Sequence, residues 1–383
     1  MTNDGMLLSR RGAVQTLATG VATLALKDVF SNPAFAAAVS PATSGHNPGA
    51  HWDKYAKPQD AGFTSDLTNI LEMLYPAPTT SFMIVRGGKV ALSYGDNSQV
   101  SYLASARKSI MSMLYGKYVA NGTIKLNTTM GQLGIDEDDG LLPIEKSATV
   151  RDVLMASSGV YHAPGSPGSN GNAPARGSMK PGTHFYYNNW DFNVAGAAFE
   201  KMTGKTVFQA CADDLAGPLQ FEDFDINRQH MLGYEPKRSR YPAYVFFLSG
   251  RDIARLGLCM INGGKWNGKE IVPAAWIKDS TAVHVKATGE GGTGNKDMGY
   301  GYLWWIPTEG RKSPEWAGSF AAQGNYGQYI FSLPALDLVV VHRRAVTDDF
   351  AIARNVGRTN ANPAGGEISI LPVIDAVVAA LKA

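Results

Sequence analysis

Segments with the composition of β-strands lie at both ends of this chain, and the stretch between them has the pattern of helices and loops. Near the start, residues 81–85 and 89–94 flank Arg86-Gly87-Gly88, which predicts a hairpin. Late in the chain, three more β-prone segments cover residues 300–306, 327–333 and 336–342. Strands at both ends predict an α/β sheet domain with a mostly helical domain inserted into it.

Helical spacing of apolar residues predicts most of the remaining elements. The predicted helices cover residues 63–75, Ser105 to about Asn121-Gly122, 149–155, 192–201, 251–260 and 370–382. Residues 163–178 are rich in Pro, Gly, Ser and Asn, which predicts a flexible loop on the surface. We predict that residues 39–104 and 236–383 form the sheet domain and that residues 105–235 form the inserted helical domain.

The overall composition is that of an ordinary globular protein, with 44% hydrophobic and 18% charged residues. The net charge of +2 and the lack of a Lys/Arg run with interleaved aromatic residues give no indication of a nucleic-acid partner. Cys211 and Cys259 do not have the spacing of metal ligands, and whether they pair is open.

The first 38 residues have the features of an export signal of the twin-arginine type. Arg10-Arg11 precedes an uncharged stretch, residues 13–26, and residues 34–38 offer small-residue cleavage sites. The uncharged stretch is shorter than the about 20 residues that span a bilayer. We expect an exported protein, periplasmic or extracellular, without stable membrane insertion once the signal is removed. The alternative is a disordered or amphipathic N-terminal extension.

The chain contains one Ser-x-x-Lys tetrapeptide, formed by Ser105 and Lys108 at the start of an apolar, helix-like segment. If Ser105 begins that helix, Lys108 lies one turn later on the same face. A serine hydroxyl is a poor nucleophile until a base takes its proton, and a desolvated lysine can supply that base. The alternative is a serine that caps the helix, followed by a solvated lysine.

Residues 181–190 contain Tyr-x-Asn in two overlapping registers, Tyr186/Asn188 and Tyr187/Asn189. A tyrosine with the usual pKa of about 10 is no base at neutral pH. Beside a lysine it can be held as phenolate or can share a proton within a Ser–Lys–Tyr network. The alternative is an aromatic loop that packs the two domains together.

A third segment, residues 321–328, places glycines at the entrance to a predicted strand, where they allow close approach of a ligand. A backbone N–H there, together with that of Ser105, would form an oxyanion hole for acyl transfer. The alternative is a bulge or a tight turn.

The order and spacing of these three elements resemble those of the serine β-lactamase-related hydrolases, which include class C β-lactamases, DD-peptidases and related esterases. Further blocks of the resemblance are residues 148–154, 181–183, 249–255, 262–268 and 299–305. The block formed by Ala322, Gly324, Gly327 and Gln328 is most similar to the 6-aminohexanoate-dimer hydrolase branch. The resemblance implies a β-lactamase/transpeptidase-like fold, an antiparallel sheet flanked by helices with an inserted, mostly helical domain.

The resemblance also implies roles for individual residues. Ser105 is the expected nucleophile, Lys108 its activating partner, and Tyr187 a general base and then a general acid. The family pattern Pro-Gly-x-x-Phe-x-Tyr-x-Asn selects Tyr187 and Asn189 over the other register. The backbone N–H groups of Ser105 and Asn325, next to Gly324, would form the oxyanion hole. Such a serine hydrolase needs no metal or organic cofactor, and its partner would be a small ester or amide held in a cleft between the domains.

The chain departs from penicillin-directed members at one place. Where β-lactamases have Lys-Thr-Gly, this chain has Ala322-Gln323-Gly324, so a cation for the substrate carboxylate is missing unless Arg343 or another cation replaces it. This favours neutral esters or linear amides. A DD-peptidase or weak β-lactamase acting on cell-wall D-alanyl groups is the alternative, as is a penicillin-binding sensor without turnover. Trp190, Trp304 and Trp305 could line the substrate site or pack the core.

Overall fold

The computed structural model describes residues 43–166, 172–287, 298–308, 310–346 and 370–381. They belong to one compact unit, Val39–Ala383. The predicted export signal, residues 1–38, lies outside the described residues. The predicted division into a sheet domain and an inserted helical domain stays a prediction.

Strands of the described residues are β1 (Ser81–Arg86), β2 (Lys89–Gly95), β3 (Ser101–Tyr102), β4 (His230–Leu232), β5 (Ala243–Val245), β6 (Phe247–Leu248), β7 (Lys265–Trp266), β8 (Lys269–Glu270), β9 (Val285–Lys286), β10 (Met298–Tyr300), β11 (Trp305–Pro307), β12 (Phe320–Gly324), β13 (Gln328–Leu333) and β14 (Leu338–Arg343). Helices are α1 (Thr68–Leu74), α2 (Arg107–Ala120), α3 (Pro143–Lys146), α4 (Val150–Leu154), α5 (Asn189–Thr203), α6 (Val207–Cys211), α7 (Gly250–Ile261), α8 (Ala274–Ser280) and α9 (Ile370–Ala379).

The main sheet has eight strands in the order β2-β1-β14-β13-β12-β11-β10-β9. Every pairing in it is antiparallel. The early strand β1 pairs with the late strand β14, with Ser81 opposite Arg343. The prediction that strands from both ends of the chain share one antiparallel sheet flanked by helices is therefore confirmed.

Helix α7 covers part of the sheet, because it packs against β1, β13 and β14. A side chain at Gly257 would place its Cβ 2.7 Å from Val339 Cγ1, so the close helix–strand contact requires glycine. Helix α2 is buried from Arg107 to Gly116 and contacts α5, α6, α8 and β12. A helix that is buried on all sides removes its polar side chains from water.

Most predicted elements are present, with changes at their ends. The β1–β2 hairpin is confirmed. The helix predicted over residues 63–75 begins only at Thr68, because Leu67 has a left-handed backbone with φ 64° that no helix continues. The strand predicted over residues 300–306 is in fact the hairpin β10–β11, with Tyr300 opposite Trp305.

The predicted surface loop, residues 163–178, is wrong at its beginning, since residues 164–166 are buried. A Cβ at Gly165 would lie 2.5 Å from the Tyr241 carbonyl oxygen. Ser166 is 2% exposed and accepts a hydrogen bond from Asn193 at 3.3 Å. Small polar residues do not predict exposure where they pack closely against neighbouring backbone, as Gly165 does against Tyr241. Residues 167–171 of this loop lie outside the described residues.

Candidate active site

Ser105 lies in a short 3-10 turn, Ala104–Ala106, that connects β3 to α2. Helix α2 starts at Arg107, and Ala106 is its N-cap residue, so Ser105 does not cap the helix. Ala104 has a left-handed backbone with φ 49°, which marks a sharp bend before the serine. Lys108 is the second residue of α2, one turn after Ser105.

The Lys108 amine lies between two hydroxyl groups. Its Nζ atom is 2.7 Å from Ser105 Oγ and 2.7 Å from the Tyr187 hydroxyl. The Lys108 side chain is 2% exposed, and Nζ lies 4.3 Å from the centre of the Phe192 ring. The structure therefore brings together three residues, of which Tyr187 is far from the other two in sequence.

Burial determines the protonation of this group. It lowers the pKa of Lys108 well below its usual range, and the nearby Arg107 charge lowers it further. Burial also raises the pKa of Tyr187 to about 12, although the hydrogen bond with Ser105 acts in the opposite direction. Both shifts favour the neutral forms, an amine and a phenol. The phenolate that the sequence left open is disfavoured in this site.

The two Tyr-x-Asn registers have different surroundings. Tyr187 points to Lys108 and stacks on Trp305, with ring centres 5.3 Å apart. Tyr186 is 1% exposed and packs edge-on against Tyr161. Asn188 caps α5 by accepting a hydrogen bond from the Trp190 N–H at 3.1 Å. Asn189 is the first residue of α5 and is largely buried.

Gly324 ends strand β12 directly against the Ser105 turn. A Cβ at this position would lie 2.5 Å from the Leu103 carbonyl oxygen, 2.8 Å from Ala106 N and 3.0 Å from Ser105 N. This contact requires glycine for reasons of space. Asn325, the next residue, is exposed and begins the turn, residues 325–327, that leads to β13.

Two buried side chains hydrogen-bond to the backbone of this turn. Gln328 Nε2 donates hydrogen bonds to the carbonyl oxygens of Tyr326 at 3.2 Å and Arg344 at 2.6 Å. His342 Nδ1 is 2.7 Å from the Gly327 carbonyl oxygen. Gln328 was expected only as part of a motif. His342 carries no sequence signal, because its contact depends on the pairing of β13 with β14.

Arg343 does not replace the missing cation. Its guanidinium is 1% exposed and donates to Gln328 Oε1 at 2.5 Å, the Leu248 carbonyl at 2.7 Å and Ser101 Oγ at 2.5 Å. This residue ties β14 to the paired strands β3 and β6. Its positive charge is used in the core and does not face a substrate at Ser105.

The tryptophans and cysteines have mainly structural surroundings. Trp190 is fully buried and donates to Glu137 Oε1 at 2.7 Å, and Trp304 is 1% exposed. Trp305 is the tryptophan that contacts the site, through Tyr187. Cys211 and Cys259 are both buried, free thiols. Within the described residues, no cluster of His, Cys, Asp or Glu is arranged for a metal ion.

Comparison with solved structures supports the fold. The chain is similar to a protein from Bacillus anthracis assigned as a 6-aminohexanoate-dimer hydrolase, with 18% identity over 88% of this chain and 87% of that chain and a TM-score of 0.59. A β-lactamase from Mycobacterium bovis matches with 18% identity over 82% of this chain and 100% of that chain, at a TM-score of 0.53. The hydrolase EstCE1 matches with 15% identity over 78% and 95% of the two chains, also at 0.53.

A comparison with the curated proteins found no match. The family model named Beta-lactamase matches residues 70–343, well over half of the chain. The matched region extends from α1 to the end of β14 and contains Ser105, Lys108 and Tyr187. The chain therefore belongs to the Beta-lactamase family, and it is a serine hydrolase with the β-lactamase/transpeptidase fold.

Proposed function

We propose that the protein cleaves an ester or amide bond through a covalent acyl-enzyme on Ser105, with Lys108 and Tyr187 as acid–base partners. The observation that carries the proposal is the position of Lys108 Nζ, 2.7 Å from both Ser105 Oγ and the Tyr187 hydroxyl. Both distances allow direct proton transfer. Family membership supports hydrolysis in general, and this geometry supports these three residues as its agents.

In acylation, Ser105 Oγ forms a bond to the carbonyl carbon while its proton passes to the Lys108 amine. Tyr187 gives its hydroxyl proton to the departing alcohol or amine and regains a proton from Lys108, so both partners end neutral. In deacylation, water attacks the acyl carbon, and its proton returns through the same pair to Ser105 Oγ as the carboxylic acid leaves. The lowered pKa of Lys108 and the raised pKa of Tyr187 favour Lys108 as the first base.

The developing oxyanion would be bound by the backbone N–H groups of Ser105 and Asn325. The close approach of Gly324 to Ser105 N supports this assignment, because it brings the start of the Asn325 turn to the serine. Preorganised N–H donors of this kind contribute about 3–4 kcal/mol to acyl transfer. Asn189, two residues after Tyr187, is the residue whose side chain we propose to orient the substrate amide or ester.

The preferred substrate is a neutral ester or a linear amide whose charges lie away from the reacting carbonyl. Ala322 and Gln323 supply no cation on β12, and Arg343 is bound by core oxygens. The name of the Bacillus anthracis protein refers to a linear amide dimer, and EstCE1 is described as a hydrolase with promiscuous acyltransferase activity. Both are compatible with this substrate class.

The test is intact-protein mass after mixing the protein separately with p-nitrophenyl acetate, a 6-aminohexanoate dimer and a penicillin. We expect a transient acyl adduct on Ser105 with ester or amide turnover and little reaction with penicillin. Ser105→Ala should lose the adduct and all but about 1% of turnover, since the nucleophile carries the reaction. A long-lived penicilloyl adduct, or release of D-alanine from a D-Ala-D-Ala peptide, would instead favour a penicillin sensor or a DD-peptidase.

We also propose that residues 1–38 direct export, which the Arg10-Arg11 pair and the uncharged stretch after it support. Among the residues that the structure describes, no helix is both long and apolar enough to cross a bilayer. The test is the intact mass of the protein recovered outside the cytoplasm, which shows at which residue the mature chain begins. A chain that keeps Arg10-Arg11 after expression in a host with the twin-arginine pathway would contradict it.

A further inference from the structure

Arg107 lies inside the Ser-x-x-Lys motif, and its guanidinium is buried. The residue is 4% exposed, and Nη2 donates a hydrogen bond to Asn193 Oδ1 at 3.1 Å. The guanidinium carbon lies 4.3 Å from the centre of the Tyr244 ring. The other terminal nitrogen, Nη1, is buried without a hydrogen-bond partner. Within the described part of the chain, no carboxylate forms an ion pair with this arginine.

Two other buried arginines have more oxygen partners than Arg107 has. Arg255 is fully buried and pairs with the Glu222 carboxylate at 3.0 Å, and Arg343 is surrounded by oxygen acceptors. Buried charges are normally paired, because an unpaired charge in the interior is costly. Arg107 interacts with the Asn193 amide and with Tyr244, so no carboxylate neutralises its positive charge, which follows Ser105 and precedes Lys108 in the motif.

We infer that Arg107 is a positioning residue for the reaction at Ser105: its fixed, buried positive charge keeps Lys108 in the amine form that can take the serine proton. The inference rests on the proposed function of Lys108 as the base. In this reaction Arg107 would contact neither the substrate nor Ser105 Oγ, and it would act through Lys108.

The physical reason is repulsion between like charges in a medium of low polarity. An ammonium beside a second cation is disfavoured, and the effect grows as water is excluded. Arginine suits this role because its delocalised guanidinium charge is much harder to remove than the charge of a buried lysine ammonium. The effect of Arg107 on the pKa of Lys108 adds to that of burial.

Among the residues that the structure describes, Arg107 is the charged group that acts on Lys108. Lys108 is hydrogen-bonded to Tyr187, which interacts in turn with Tyr244 and Tyr300, and burial favours the neutral form of all three tyrosines. The Asp191 carboxyl, which interacts with Tyr300, is also buried, and burial favours its neutral form too. Arg107 is the cationic side chain beside this group. Removing its charge should therefore let Lys108 hold a proton to higher pH.

The experiment measures, for Arg107→Met, how the burst of p-nitrophenolate released from p-nitrophenyl acetate depends on pH. Ser105→Ala is the blank. We expect the acid limb of the acylation rate to move to higher pH. The ratio of the rate at about pH 6 to that at about pH 9 should fall at least about fivefold, with the rate at the higher pH kept within about threefold. Lys117→Met is the matched control, because it removes the same charge from the half-exposed end of α2 and should leave the ratio unchanged.

An equal loss of acylation rate at both pH values would overturn the inference, because it would indicate a purely structural role. An unchanged pH profile would also overturn it. Arg107→Gln, a neutral side chain with a donor for Asn193, serves if the methionine variant does not fold, and the same profile is expected. The two proposals fail differently. If Ser105→Ala still forms an acyl adduct, the proposed function fails. If Ser105→Ala is inactive and the pH profile of Arg107→Met is not shifted, only the role of Arg107 is contradicted.

Discussion

Lys108 depends on its neighbours for its chemistry. An exposed lysine has a pKa of about 10.4 and is no base at neutral pH. Here the amine is 2% exposed, lies 4.3 Å from the Phe192 ring centre and shares its surroundings with the Arg107 charge. Burial beside Phe192 on α5 and Arg107 on α2 thus turns an ordinary side chain into a candidate base.

Tyr187→Phe tests the acid–base pair at the residue scale. Loss of the hydroxyl 2.7 Å from Lys108 Nζ should lower kcat for an amide substrate by about 10²–10⁴-fold, because the leaving amine then lacks a proton donor. Tyr186→Phe is the matched control. Its ring packs on Tyr161 outside the triad, so its kcat should stay within about threefold of the parent. Equal effects of the two substitutions on kcat would count against the chosen register.

At the scale of elements, the hairpin β12–β13 and the turn before α2 depend on each other. Gly324 lets the strand end touch the Ser105 turn, and Gln328 on β13 and His342 on β14 hydrogen-bond to the connecting turn. The backbone donors proposed for the oxyanion are therefore positioned by a sheet that pairs in register from β12 to β14. Buried, fully bonded networks of this kind restrict the backbone.

Gly324→Ala should separate these two elements without removing any functional group. The new Cβ would meet three backbone atoms at 2.5–3.0 Å, so one strand end must move. We expect acylation by p-nitrophenyl acetate to slow by about 10²-fold or more, as on loss of an oxyanion donor. Gly49→Ala, which has open space around the new Cβ, is the control and should acylate at the parent rate. Parent-like acylation by Gly324→Ala would argue against a tight oxyanion site here.

At the scale of the whole molecule, His342 links stability to pH. It is 1% exposed between the Gly327 carbonyl and Thr79 Oγ1, and burial lowers its pKa to about 4. In the unfolded chain the pKa returns to about 6.5. Between these values the unfolded chain binds a proton that the folded chain does not. This histidine therefore contributes a loss of stability as pH falls from about 6.5 toward 4.

His342→Asn isolates that contribution, because other groups such as Asp252, whose pKa is raised to about 6, titrate in both proteins. The variant should be less stable than the parent at pH about 7, since it loses packing and one hydrogen bond. The difference in the free energy of unfolding should shrink by about 2 kcal/mol at pH about 4.5. Urea unfolding at both pH values measures it. A difference independent of pH would mean that His342 is protonated in the folded protein.

Much of this molecule is encoded in local patterns. The hairpin of β1 and β2, helix α7 and the final helix α9 follow from side-chain periodicity and glycine turns, which are local properties. Element ends were less predictable. The left-handed backbone at Leu67 is not visible in the spacing of apolar residues. Residues 300–306 divide into β10 and β11 at a turn where Tyr302 N and Leu303 N donate to the distant carbonyls of Ser280 and Leu154.

For the candidate site, the residue types and their order can be read along the chain: Ser105 and Lys108 three residues apart, Tyr187 and Asn189 about eighty residues later, and Gly324 before a strand. The protonation of Lys108, the different surroundings of Tyr186 and Tyr187, and the use of Arg343 in the core cannot be read there. They depend on which charges and rings meet in an interior without water, because a pKa and a hydrogen bond are set by surroundings in space. These surroundings arise when the fold buries α2 against α5 and β12.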